Sequence, residues 1–434
     1  MRRLFAFLMV CAGAVPARAQ QSDTTVATLQ VSLEEAIRRA LEVQPAMVQA
    51  RGDSRNASAG MLASNGAFLP SITANGSSTR AGGTRFDTQR NQIAQLGATT
   101  AFSGSVQASL DLFTGFKRMA DRRASAATER AADAGLVNQR FQVMLSTKQA
   151  FYNALAAEER VAVADAQRRR AQQQLQTALE KLHAGSATRS DSLRSTVDLG
   201  NAQLALLQAQ ADLATAQGNL GRQIGVDRPV RAVPDSALPP LPDTTGMRAA
   251  VQESAPQVLQ AEAQARAAGA QVAVSRAAYW PSLNASVTNS YSGLEAPWTS
   301  TDTYGRGWSV GFRITWPLFN GFQREKSMVS ASVAHDVAQA KADDARRAVA
   351  AQFTQQVAAL QTAFAKIGIA TDNVAAATED LRVQQERYRV GAGTFLDLLT
   401  SEATLTQAQT DLVQARFDYL IARAQVEALV GHSL

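Results

Sequence analysis

Cysteine is almost missing from this 434-residue chain, which holds Cys11 alone. That residue lies in the short apolar run Leu4 to Val15, between the basic start Met1-Arg2-Arg3 and the triplet Ala17-Arg18-Ala19. A basic start, a short apolar core and an Ala-x-Ala site predict an export leader over 1-19, with Gln20 opening the mature chain. A lipoprotein leader needs a small residue before its cysteine, and Val10 stands there, so acylation is not expected. Without Cys11 the exported chain can form neither disulfides nor thiolate metal sites. Long apolar runs are also missing, and no segment approaches the roughly 20 residues of a membrane-spanning helix. Histidine is scarce: His183, His335 and His432 are far apart and lack acidic or cysteine neighbours at ligand spacing, so no metal is expected. There is no Gly-rich phosphate loop and no nucleophile–base pairing, so neither an enzyme nor a cofactor is expected. Charge of one sign is missing as well. The formal +6 includes Arg2, Arg3 and Arg18, which leaves +3 for the mature chain. With no basic stripe interleaved with aromatics, nucleic acid is not an expected partner.

What is present is repetition. Ala67-Phe68-Leu69-Pro70-Ser71-Ile72 returns as Ala278-Tyr279-Trp280-Pro281-Ser282-Leu283, an offset of 211, and Leu112-Phe113-Thr114-Gly115-Phe116 returns as Leu318-Phe319-Asn320-Gly321-Phe322, an offset of 206. The second offset then holds through Gly185 and Gly391, Asp191 and Asp397, and Gly225 and Gly431. The reading is an internal duplication, with a first repeat over 20-225 and a second over 248-434. Between them, 226-247 carries Pro229, Pro234, Pro239, Pro240 and Pro242, a composition that predicts an external connector without helix or central strand. Each repeat reads alike. A helix opens at Ser32 with Glu35 three residues on, a capping box, and runs to about Gly66. Two strands follow, over about 68-80 and 99-113, and then a helical hairpin over 117-224 that turns at Gly185. In the second repeat the strands fall at about 279-292 and 304-318 and the hairpin at 322-431.

The strands alternate. Trp308, Val310, Phe312, Ile314 and Trp316 interleave with Ser309, Gly311, Arg313 and Thr315. This period of two also suits a soluble sandwich. Membrane is favoured by strands of roughly 9–11 residues, and by an aromatic girdle of Tyr291, Tyr304 and Trp308 at one level with Trp280 and Trp316 at the other. The opposite face carries small polar side chains. Four strands with open edges cannot stand in lipid, because each unpaired backbone group there costs several kcal/mol. Closure therefore requires more than one chain: two protomers supply eight strands, three supply twelve. The hairpin helices carry heptad seams, with Leu398, Leu405, Leu412, Tyr419 and Val426 on one line and Ala408, Ala415, Ala422 and Leu429 on the next. Alanine seams let helix backbones approach closely. Many narrow seams side by side predict a hollow cylinder.

Phe68-Leu69-Pro70-Ser71, Trp316-Pro317-Leu318-Phe319-Asn320-Gly321, the opening Ser32-Leu33-Glu34-Glu35-Ala36-Ile37 and the run from Arg387-Tyr388-Arg389-Val390-Gly391 to Leu399 resemble the TolC family of outer-membrane export ducts. The resemblance covers nearly all of the mature chain, in family order. It implies an α+β membrane protein: a homotrimer whose shared twelve-stranded barrel, four strands per chain, sits in outer-membrane lipid and continues into a long periplasmic α-helical coiled-coil barrel. It also implies partners, namely a periplasmic adaptor and, through it, an inner-membrane pump of RND or ABC type, serving efflux or type I secretion. A passive outer-membrane porin would share the strands without needing such long hairpins. A structural periplasmic coiled-coil protein would share the hairpins without needing girdled strands.

The turns Gly185-Ser186-Ala187-Thr188 and Gly391-Ala392-Gly393-Thr394 lie at the far end from the barrel. Glycine permits the reversal and threonine can cap the returning helix. The resemblance implies that these turns face the adaptor. It also implies that Asp397 forms a ring of like charge where the tunnel narrows. The family usually adds a second acid three residues on, where this chain has Thr400, which weakens the case for strong cation binding. Asp191, beside Ser190, is expected to help close the tip with Arg189, Arg387 or Arg389. The neighbours differ in the second half, where Leu396 and Phe395 precede Asp397.

Overall fold

A computed structural model describes residues 29–87, 89, 91–234, 238–294 and 304–434; the leader expected over 1-19 lies outside them. Two helices dominate, α3 (Lys117–His183) and α7 (Gln323–Arg389), each of 67 residues and so about 100 Å long at 1.5 Å per residue. Neither contains proline. Along α3, Val143, Ala157, Ala164, Ala171 and Ala178 recur at heptad spacing and are buried. Each long helix turns back at its C-terminal end into a shorter one, α4 (Arg189–Gln223) after α3 and α8 (Phe395–Val430) after α7. The seam of α8 is buried at Leu398, Leu405, Tyr419 and Val426, with Ala408, Ala415, Ala422 and Leu429 beside it. Small side chains on these lines bring the helices into one side-by-side layer in the order α4–α3–α8–α7.

Nearer the strands the layer is completed by α2 (Pro45–Gly66) on α3 and α6 (Pro256–Arg276) between α3 and α7. Polar contacts set this packing. Ser54 and Ser58 donate to Asp133 and Glu129 of α3, each at 2.7 Å, and Asn138 donates to Gln260 of α6 at 2.8 Å. The single helix expected from Ser32 to Gly66 is two helices, α1 (Leu33–Val43) and α2, broken at Gln44. Pro45 excludes the helical backbone from the residue before it, and Gln44 is extended with ψ 127°. The second half breaks likewise at Ala255, ψ 134°, between α5 (Met247–Ser254) and Pro256 at the start of α6. The Ser32 cap is as read, its hydroxyl accepting from the Glu35 amide at 3.3 Å.

The connector also departs from expectation, because it contributes strand β4 (Val230–Ala232), paired in parallel with β1 (Leu29–Val31). These three residues fall between Pro229 and Pro234 and keep their N–H groups, while Val230 and Ala232 are buried against Phe151, Leu220 and Ile224. The rest of the connector is pinned to α8. The buried Tyr419 hydroxyl lies 2.9 Å from the carbonyl oxygens of both Pro239 and Pro240, acceptors that proline retains although it has no N–H.

The remaining strands, β2 (Ser71–Asp87), β3 (Gln92–Phe113), β5 (Ser282–Gly293) and β6 (Gly305–Thr315), form one antiparallel sheet in the order β2-β3-β5-β6. β2 and β3 run further outward than expected. Partners across the sheet share a face. Ala108, Val287 and Val310 stand in one row and Leu110, Ala285 and Phe312 in the next. The opposite face brings Ser71, Ser109, Ser286 and Gly311 into line, and Ser77 and Ser103 hydroxyls meet at 2.8 Å. Within the chain β2 and β6 each have an unpaired edge.

Each junction from sheet to long helix uses the same turn. Gly115 and Phe116 before α3 have φ of +63° and +66°, and Gly321 and Phe322 before α7 have +65° and +64°. A Cβ on Gly115 would lie 2.6 Å from the Trp280 Cβ and 2.7 Å from the Ala277 carbonyl, so glycine is required there twice over. Phe116 stacks edge-on to Phe113 and Trp280 at 5.2 and 5.9 Å. Trp280 and Trp316 thus sit just outside the strands, Trp316 donating to the Tyr279 carbonyl at 3.3 Å. At the other end Trp308 is 80% exposed, and Tyr291 lies 5.7 Å from the Arg306 guanidinium. Tyr304 opens the β6 end of that level beside Gly293.

Candidate gate at the hairpin tips

Both tips are built from the same backbone device. The α3 helix ends on Gly185, φ +74°, with the Ser186 amide returning to the Lys181 carbonyl at 2.8 Å. The α7 helix ends on Gly391, φ +79°, with the Ala392 amide returning to the Arg387 carbonyl at 2.8 Å. Such closures satisfy carbonyls that the last helical turn leaves open. Thr188 and Thr394 then start α4 and α8 as N-caps, and each sits in a capping box with the aspartate three residues on. Thr188 Oγ1 accepts from the Asp191 amide at 3.2 Å while Asp191 Oδ2 accepts from the Thr188 amide at 3.1 Å. The corresponding distances for Thr394 and Asp397 are 3.1 and 3.2 Å.

Both acids therefore have a local role as partners of the capping threonines, and for Asp397 this agrees with the alternative of an acid favoured at a helix N-terminus. Asp397 remains exposed at the start of α8, and the Thr394 hydroxyl and amide, then Arg387, hold its carboxyl below the usual carboxylate value. Thr400 turns its hydroxyl back to the Leu396 carbonyl at 2.9 Å. Among the described residues no ion pair joins Asp191 to Arg189, Arg387 or Arg389. Arg389 pairs with Glu386 at 2.8 Å, Arg387 reaches the Ala392 carbonyl at 3.4 Å, and Ser190 is exposed.

At the tips, a contact that joins the two hairpins comes from Lys181, which the sequence reading did not single out. Its ammonium lies 3.9 Å from the centre of the Tyr388 ring and donates to the Tyr388 carbonyl. Burial, and then the like charge of Arg389, pull Lys181 below its usual value. Tyr388 packs on Phe395 at 5.9 Å within an apolar cluster containing Leu381, Leu398 and Leu405. Its hydroxyl is buried without a partner, and burial, then the Asp191 carboxylate, raise its pKa.

A second polar layer crosses the hairpins further from the tips. Glu402 of α8 is 8% exposed, facing Arg170 of α3 and Asp198 of α4. Arg170 Nη2 donates to Thr406 at 3.2 Å, and Ser401 donates to Asp380 of α7 at 2.5 Å. The visible signal in sequence was Ser401, which interrupts the alanine line of the α8 seam one heptad before Ala408.

Comparison with known proteins places this arrangement. The family described as outer membrane efflux protein matches residues 36–226 and 248–432. The Dickeya chrysanthemi proteases secretion protein PrtF is 26% identical over 310 residues, covering 68% of this chain and 66% of PrtF, so the chain spans just under two thirds of that relative's length. Escherichia coli outer membrane protein TolC is 23% identical over 354 residues, covering 76% of this chain and 70% of TolC. Among solved structures, the Campylobacter jejuni CmeC outer membrane channel superposes with a TM-score of 0.79 at 16% identity, covering 92% of this chain and 85% of the channel.

Proposed function

The chain belongs to the outer membrane efflux protein family, and from that premise we propose that three copies close into one duct through which substrates leave the periplasm. The protein is an outer-membrane channel component with a large periplasmic part, and it is not an enzyme. The single observation that carries the duct reading is the four-stranded sheet. It has one apolar and one hydroxyl-lined face and an unpaired edge on both β2 and β6. Closing those edges, copy against copy, removes every unpaired backbone group from the lipid and leaves a wet lumen. The helical layer supports the same closure. Leu193, Val197, Leu204 and Leu207 form an exposed stripe along its α4 edge, suited to the outer edge of a neighbouring α7.

In this reading the aromatic residues Trp280, Tyr291, Tyr304, Trp308 and Trp316 mark the two membrane interfaces, and the connector with β1, β4 and the C-terminal turn forms an equatorial belt. The tips from Gly185 to Thr188 and from Gly391 to Thr394 receive a periplasmic adaptor, which links the duct to an inner-membrane pump. Asp397 provides the constriction charge, and the tip opens by separation of the hairpins that Lys181 and Tyr388 hold together. Names such as proteases secretion protein and efflux pump outer membrane protein among the relatives support export as the task, with either a secreted protein or a small toxic compound as cargo.

Mass measurement in detergent and conductance in a planar bilayer test the duct reading. Trimers that conduct only weakly until the tip is loosened are the expected result. Monomers, or a wide and permanently open pore, would overturn it.

A further inference from the structure

The Glu402 layer has no part in forming the turns, yet it is built between hairpins. Glu402 and Arg170 reach the same turn of α8 without closing a good pair. Arg170 binds the Thr406 hydroxyl, whose own proton goes to the Glu402 carbonyl at 2.9 Å, and Arg170 Nε is left buried without a partner. Gln174, one turn along α3 and also buried, leaves its Nε2 without a partner. A seam packed for stability alone would place Ala or Leu at these sites, as it does at Ala171, Leu398 and Leu405. Unsatisfied polar groups in a tight seam cost free energy for as long as the seam stays shut.

We propose that Glu402 is a proton-binding site that governs separation of the two hairpins. With the proton bound, the neutral carboxyl stays packed against α3. Without it, the buried carboxylate is stabilised by moving into water, which favours the separated state. The charged groups facing it are Arg170 from α3, with Arg169 behind it, and Asp198 from α4; on the α7 side Asp380 is engaged by Ser401. Burial is the main influence and Asp198 the second, both raising Glu402, to about 7, while Arg170 opposes them. Burial raises Asp198 as well, so both acids act in the same direction.

The direction follows from linkage. The packed state holds a proton that the separated, hydrated state releases, so packing is favoured at acid pH and lost as pH rises through 7. With the separated-state carboxyl at its ordinary value, the ratio of separated to packed hairpins grows roughly tenfold per protomer between pH 6 and pH 8. This inference rests on the duct reading for its consequence in conductance, but not for the movement itself.

Two measurements on the full-length protein test it. In a planar bilayer, the open fraction of wild type should rise at least about tenfold from pH 6 to pH 8, since each protomer of a closed pore contributes a change of that size. Glu402→Gln, which keeps the shape and stays neutral, should remain at the low, acid value at both. The distance between spin labels on Ser186→Cys and Ala392→Cys, introduced into a mature sequence without other cysteine, should lengthen from pH 6 to pH 8, and not when Glu402→Gln is added. A pH response in Glu402→Gln equal to that of wild type, in a variant of unchanged trimer size and melting temperature, overturns the proposal and leaves the duct reading intact. A pH-dependent label distance in a protein that never conducts supports the proton site and overturns the duct instead.

Discussion

Lys181 offers a sharp test of how the tips are held, because its side chain reaches from the first hairpin to the ring and the carbonyl of Tyr388 on the second. Replacing it with methionine keeps the aliphatic stem and removes both the charge over the Tyr388 ring and the donor to the Tyr388 carbonyl. A partly exposed cation–π contact contributes about 1 kcal/mol. A charged hydrogen bond contributes about 1.5 kcal/mol at the low end of its range. Since the separated state regains hydration at both groups, a net of about 2 kcal/mol is reasonable. That corresponds to roughly a thirtyfold change in the packed-to-separated ratio of each protomer. In a planar bilayer the closed-state conductance of Lys181→Met should rise accordingly, while Lys181→Arg, which retains a cation, should stay near wild type. Global melting should not move, because the core around Phe151, Leu220 and Phe417 lies far along the helices from the tip. Unchanged conductance in Lys181→Met, with the oligomeric state of wild type retained, would refute the tether.

The Asp397 carboxylate should set block by a trivalent cation. Asp397→Asn keeps a capping acceptor but loses the charge, so block should fall while the tip stays ordered. Because the wild-type carboxyl is held below its usual value, block should persist undiminished at pH 5 and be lost only on further acidification. Thr394→Ala should do the reverse, costing about 1 kcal/mol of local helix stability with block retained, read by hydrogen exchange over the first turn of α8. Tyr419→Phe removes the hydroxyl that serves Pro239 and Pro240 at a cost of about 1–3 kcal/mol. The connector should then become the first site of limited proteolysis. Gly115→Ala should cost about 1–3 kcal/mol through its left-handed backbone and the neighbouring Trp280, and lower the midpoint of thermal unfolding.

Much of the architecture was legible in periodicity. Most of the α8 seam and of the alanine line of α3 is buried where heptad spacing requires, with Leu412 and Ala150 only half-buried, because a helix in a side-by-side layer has few choices of face. Strand alternation was equally readable, since lipid and water impose opposite demands on successive side chains. The break at Gln44 was less visible. Proline also begins helices, so Pro45 read as compatible with a helix here while its restriction on Gln44 ends one helix and starts the next. Strand β4 was hidden among prolines because three residues carry little signal until Leu29–Val31 is placed beside them.

At the tips the division is different. Glycine and threonine at matching positions announced the turns from sequence alone, since few other residues can reverse and recap a helix in so short a space. Which charges meet across the hairpins was decided by the tertiary structure. Asp191 turns to its own cap and not to Arg387 or Arg389, and Lys181 finds a ring more than two hundred positions away. Local patterns determine local geometry because their energies depend on neighbours a few residues off. Glu402, Arg170 and Asp198 lie on three different helices, and no spacing in the chain could have brought them into one layer.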